Sequence, residues 1–108
     1  MAYVHVNAGI CGFCSDIKVC SEDMQTAVIT MKTECPNLKP LEQELNVVDG
    51  YVECFAKIGT SGIYETVRKY CKHPACPVAA AIIKGVEVAC GLALPKNVEM
   101  QISKEDSI

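Results

Sequence analysis

The hydrophobic pattern of this chain changes period once, near residue 35, and that change restricts the fold more than any single residue does. Up to Thr33, apolar side chains recur at every second position, as they do on one face of extended strands. Val4 and Val6 share a face of a first strand over residues 3–6. Residues 16–21 alternate through Ile17 and Val19, Glu22 to Gln25 make a polar turn, and residues 26–33 alternate through Ala27, Ile29 and Met31. The last two segments read as a hairpin.

Beyond that point the spacing becomes helical. Asn37 is a candidate N-cap for a helix carrying Leu38, Leu41 and Leu45 on one stripe, with Pro40 in its first turn. Tyr51, Cys54, Phe55 and Ile58 mark a second helix that Gly59 stops. Ser61 caps a third, with Ile63, Val67, Tyr70 and Cys71 on its inner face. The longest runs over 77–90 and buries Ala79, Ile82, Ile83, Val86, Ala89 and Cys90 before Gly91 ends it. After Leu94-Pro95, Val98, Met100 and Ile102 alternate as a last strand, and the polar tail 104–108 is expected to fray. The expected architecture is α+β, with a small, mostly antiparallel sheet of three to four strands and four helices packed on one face. Residues 1–103 read as a single domain without repeat, linker or low-complexity tract.

At 108 residues the chain has the size of one domain with one core, and half of it is hydrophobic. The net charge is −3 and no Lys/Arg cluster can track a phosphate backbone, which argues against a nucleic-acid partner. No apolar run approaches the length that spans a bilayer, so no membrane partner is expected. The start, MAYVHVNAG, lacks the basic segment and apolar stretch of a secretory leader. These features point to a cytoplasmic, reducing setting, where eight cysteines are buried, metal-bound or reactive rather than paired. A disulfide scaffold is the alternative if a leader has been removed.

The cysteines divide by position. Cys54 and Cys90 lie on apolar helix stripes and read as small core hydrophobes. Cys20 shares a strand face with Lys18 and receives no role. Cys11-Gly12-Phe13-Cys14 has redox-motif spacing, but a strand follows it, whereas that chemistry relies on a helix start to lower the thiol pKa. Cys35 and Cys76 each stand directly before a proline that opens a helical pattern, where unpaired N–H groups and the helix dipole favour thiolate. Cys11 lies in a Gly-flanked loop. Residues 71–77 place Cys71, His73 and Cys76 between prolines that stiffen the backbone, which raises the standing of His73 as a ligand.

Other chemistry is poorly represented. His5 lies on an alternating strand. Glu42, Glu44, Glu53, Glu65 and Glu87 read as solvated helix faces, and Gly59-Thr60-Ser61-Gly62 lacks the lysine of a phosphate loop.

Taken in order, Cys11 in Ala8-Gly9-Ile10-Cys11-Gly12, Cys35 in Glu34-Cys35-Pro36-Asn37, then His73 and Cys76 opening a long helix, the pattern resembles IscU/NifU-type iron–sulfur scaffolds. That resemblance implies an α+β fold and three cysteines with a histidine that hold a [2Fe–2S] cluster or zinc. The chain departs from the scaffold at Phe13, where an acidic residue is usual, and at Pro74-Ala75, which separate the histidine from the cysteine. The whole chain is also similar to a family of small uncharacterised proteins from anaerobic microbes that share NAGICGF, CPN, HPACPV and GLALP stretches.

The leading expectation is therefore a cytoplasmic metal-binding module, with Cys11, Cys35 and Cys76 as ligands and His73 or Cys71 as the fourth. The cofactor would be an iron–sulfur cluster or zinc, and a scaffold or carrier would need a protein partner for cluster or sulfur transfer. Two alternatives stay open: a thiol-dependent redox enzyme using Cys11/Cys14 or Cys76, and a metal-free interaction domain with buried thiols. The absence of a nameable orienting group beside any thiol favours a non-enzymatic role.

Overall fold

Alternation in the first third of the chain builds a meander whose apolar face is then covered by helices. In the computed structural model, which describes residues 1–105, strands β1 (Ala2–Asn7), β2 (Cys14–Cys20) and β3 (Thr26–Thr33) come first. They are followed by α1 (Leu41–Glu44), β4 (Val47–Asp49), α2 (Gly50–Phe55), α3 (Gly62–Arg68) and α4 (Val78–Ala89). The sheet runs β1-β2-β3-β4 with every pair antiparallel. Ile17 pairs with Val4 and Met31, and Val19 with Ile29, so the apolar residues line up across the sheet. Ile17, Val19, Ala27, Ile29 and Met31 are all buried, whereas Tyr3, His5, Asp16, Thr30 and Lys32 face water. The β2–β3 turn is held by Asp23, whose carboxylate accepts the N–H groups of Gln25 (3.0 Å) and Thr26 (2.7 Å). Those bonds hold its carboxyl below the usual carboxylate range.

Helix α4 crosses the buried face of β1 and β2. Gly85 makes the close approach: a Cβ there would stand 3.0 Å from a Val19 methyl and 3.1 Å from a Val4 methyl. The far end of α4 is fixed by Cys90, which packs on Gly50 at the start of α2 and reaches the Gln25 carbonyl at 3.9 Å. At 12 residues, α4 spans about 18 Å, roughly one strand length. Its start therefore lies at the opposite end of the sheet, where β1 passes into the 8–13 loop and β3 into Cys35. Asp49 caps α2 by accepting from Tyr51 and Val52, and Ser61 caps α3 by accepting from Tyr64.

Four expectations need correction. No helix begins at Asn37: residues 36–40 form turns and α1 is only four residues long, capped by Pro40 without a side-chain bond. Pro36 and Pro40 supply no N–H, and a proline disfavours helical geometry in the residue before it. Leu38, Leu41 and Leu45 nevertheless all turn inward.

The α2 stripe also faces the other way. Tyr51, Phe55 and Ile58 are exposed, while Gly50 and Glu53 are buried. The Glu53 carboxylate is satisfied there by the Ile63 N–H at 3.2 Å, at the start of α3, so it is no solvated helix face. Strand β4 was not foreseen; three residues are too few to show a period. Finally, Val98, Met100 and Ile102 form no strand and are exposed. The last part of the expected frayed tail, 106–108, lies outside the described residues.

The α2–α4 contact generates two expectations. A methyl at Gly50 would stand 2.5 Å from the Cys90 sulfur and 3.1 Å from the Gln25 carbonyl oxygen. Gly50→Ala should therefore cost about 1–3 kcal/mol in urea unfolding. The cost should be smaller in a Cys90→Ala background, and equal costs in both would refute the contact. Half-buried Cys54 has its thiol pushed up to about 11, first by burial and then by Glu87, Cys90 and Glu53. The folded thiol holds its proton more tightly than the unfolded one, whose value is near 9.0. Stability is thus fully present below about pH 9 and is lost as pH rises toward 11. A Cys54→Ala variant should lose less stability than the parent across that window, as read by chemical denaturation at each pH.

Candidate thiol site at one end of the sheet

The site is built from the backbone of residues 71–78. The third helix continues one turn past Arg68, because the Cys71 N–H bonds to the Val67 carbonyl at 2.8 Å. That extra turn keeps Cys71 on the face that already carries Tyr64 and Val67. The chain then folds back over Pro74. The His73 carbonyl accepts from two groups, the Cys71 thiol at 3.3 Å and the Cys76 N–H at 3.1 Å. One oxygen thereby ties both cysteines to a single turn. Pro77 serves as N-cap of α4, directly after Cys76. Cys71, His73 and Cys76 line a cavity of about 290 Å³ together with Tyr64, Val67 and Arg68.

Cys35 reaches the same end of the molecule from the sheet. Buried Ser15 donates to the Thr33 hydroxyl at 2.7 Å, and that hydroxyl accepts the Cys35 N–H at 3.1 Å. Glu42 accepts the Thr33 N–H at 2.9 Å, and this bond chiefly holds its carboxyl below the usual range. Cys35 is half-buried against the core, and its carbonyl accepts from Leu38 at 3.1 Å to start the turn toward α1.

Electrostatics show which thiols feel one another. Burial pushes the Cys76 thiol up, the Val78 N–H pulls it down, and the neighbouring Cys71 and Cys35 sulfurs push it up further. The net direction is upward, so the thiolate favoured by a helix start is not the outcome at Cys76: desolvation outweighs the N-terminal dipole. Cys35 has no such dipole to begin with, because no helix starts there.

The remaining candidates are placed differently. Cys11 sits exposed at the tip of the 8–13 loop, between Gly9 and Gly12 at positive φ (96° and 74°). That loop lies at the same sheet end as Cys35, since Cys14 and Glu34 are joined by two bonds: the Cys14 N–H to the Glu34 carboxylate at 2.8 Å, and the Glu34 N–H to the Cys14 carbonyl at 2.9 Å. The His73 side chain is exposed beside the cavity. Among the described residues, no three Cys, His, Asp or Glu side chains stand close enough together to hold a metal ion without rearrangement. Cys14 opens a strand rather than a helix, and it shares the open face of β2 with Cys20. Cys54 and Cys90 belong to the α2–α4 contact at the other end.

Sequence reasoning overlooked Tyr64, Arg68 and Lys72 as site neighbours. All three line the cavity, and the Arg68 guanidinium donates to the Gly59 carbonyl at 2.6 Å, tying the loop before α3 to that helix. The signal was present: Tyr64, Val67, Arg68 and Cys71 follow the helical spacing i, i+3, i+4, i+7. Glu53 was also misassigned, because its partner at Ile63 lies on another helix.

Among the described residues, no helix is long and apolar enough to cross a membrane. No curated protein and no solved structure matches the chain. A family model does match, over residues 2–102, nearly the whole length. The chain belongs to that family, a family of unknown function designated DUF6951.

Proposed function

We propose that this protein is a metal-binding module that takes zinc or an iron–sulfur cluster through Cys35, Cys71 and Cys76. The fourth donor comes from His73 in the same turn or from Cys11 in the 8–13 loop. One observation carries the reading: the Cys76 thiol lies within electrostatic reach of Cys71 and of Cys35, although Cys35 is far removed from it in sequence. Soft sulfur donors with one imidazole suit zinc and iron–sulfur clusters and disfavour magnesium or calcium. The order of cysteines that resembles iron–sulfur scaffolds supports the cluster over zinc. In that case the protein would serve as scaffold or carrier for a protein partner.

The half-buried donors also suit this role. Burial pushes the Cys76 thiol upward, and metal binding, which requires the thiolate, would release its proton and set metal–sulfur bonds against that desolvation. Closing the site needs the Cys35 turn, the 71–76 turn and the 8–13 loop to draw together. The 8–13 loop, with Cys11 facing water, has the freest path to do so.

The test uses anaerobically purified protein offered zinc, or ferrous iron with sulfide. The expected result is stoichiometric zinc, or visible charge-transfer absorption with matching iron and sulfide. Cys35→Ser and Cys76→Ser should each weaken uptake at least about tenfold, on the order of the loss typical for a disturbed metal site. Cys20→Ser, on the open sheet face, should leave uptake unchanged. Wild-type protein that takes up neither metal, or loses nothing in both variants, would overturn the proposal.

A further inference from the structure

We infer that Cys71 and Cys76 form a reversible disulfide across the 71–76 turn, and that this bond closes the thiol site to metal. The second part rests on the metal-binding reading above; the first does not. The two cysteines line the same cavity and hang from the same carbonyl, with the His73 oxygen accepting from the Cys71 thiol at 3.3 Å and from the Cys76 N–H at 3.1 Å. Both are free thiols, and each lies within electrostatic reach of the other. Pro74 limits the conformations that the intervening residues can sample, which keeps the two sulfurs near each other.

The Cys54–Cys90 pair at the other end of the sheet is less well placed for this chemistry. Cys54 and Cys90 are also neighbours, but Cys90 is only 2% exposed and out of reach of an oxidant. Cys71 and Cys76 are both half-buried at the rim of an open cavity, which a small disulfide can enter.

The co-reactant is a low-molecular-weight disulfide, RSSR, of the glutathione class. One protein thiolate attacks a sulfur of RSSR, forming a mixed disulfide and expelling RS⁻. The second protein thiol gives up its proton, attacks the protein-side sulfur and expels the second RS⁻. The net change is protein(SH)₂ + RSSR → protein(S–S) + 2 RSH, with the protein losing two electrons and two protons. Excess RSH reverses it. Two of the three proposed sulfur donors are consumed, so the oxidised form keeps only Cys35 of the three and cannot offer the same donors.

The cleavage pattern of the chain makes the bond easy to read. Trypsin acting after Lys69, Lys72 and Lys84 separates residues 70–72 from 73–84, each with one cysteine. Reduced full-length protein is equilibrated with oxidised and reduced glutathione, free thiols are blocked by an alkylating agent, and the digest is examined by mass spectrometry. The expected result is the disulfide-linked pair 70–72/73–84 as the first internal linkage to form, lost again under excess reduced glutathione. Cys71→Ser, checked for folding by circular dichroism, should remove it and leave Cys76 free or glutathionylated. Recovery of 70–72 and 73–84 only as separate peptides, at ratios where other thiols have oxidised, would overturn the disulfide. Zinc affinity of the oxidised protein should fall at least tenfold and return on reduction; equal affinity in both forms would overturn the gating. If the reduced protein binds no metal while the linked pair forms, the metal reading fails and the disulfide stands.

Discussion

The seat of α4 on the β1–β2 face is the contact on which the rest of the molecule depends. Gly85 lets the helix backbone settle onto Val4 and Val19, and Ile82 and Val86 beside it are fully buried. Burying side chains of this size contributes about 1.5–3 kcal/mol each. It also sets the direction of the chain: with Cys90 held against Gly50 at one end, the other end of α4 must fall beside the β3 exit. That placement brings Cys76 to the end of the sheet where Cys35 lies, within electrostatic reach of it. Neither residue carries any local signal of the other.

Two opposing effects act on Cys76, and their balance defines the chemistry available there. A helix start offers the Val78 N–H to the sulfur, which favours thiolate, while burial and two further sulfurs favour the thiol. Desolvation wins. A half-buried thiol of this kind is a weaker nucleophile than its helix-start position alone would make it.

How much of this was legible in the sequence depends on whether the deciding contact is local. Strand β3 begins and ends where its alternation does, Ser61 caps α3 as its spacing demands, and Gly91 ends α4 at φ 73°. Each of these is settled within a few residues. The orientation of α2 is not local: Tyr51 and Phe55 face out because Gly50 must meet Cys90 and because the Glu53 carboxylate has an amide waiting at Ile63. The same holds for the site. Cys71, His73 and Cys76 share a cavity, as their spacing in one proline-bounded stretch suggested. The upward push on Cys76 escaped the sequence, since burial is a property of the packed molecule and the helix dipole is visible from residue order alone.

The arrangement of prolines bears on how such a site can change state. Pro36 follows Cys35, Pro77 follows Cys76, and Pro74 lies inside the turn that joins Cys71 to Cys76, so each half-buried sulfur stands on backbone with few alternatives. Stiff donors lose little entropy when they are held by a ligand, but they also move little to reach one. Cys11 is the opposite case, flanked by glycines at positive φ in an exposed loop. A closing motion therefore divides unevenly. The three proline-braced cysteines contribute little of it, and the glycine loop is the segment with the most freedom to move.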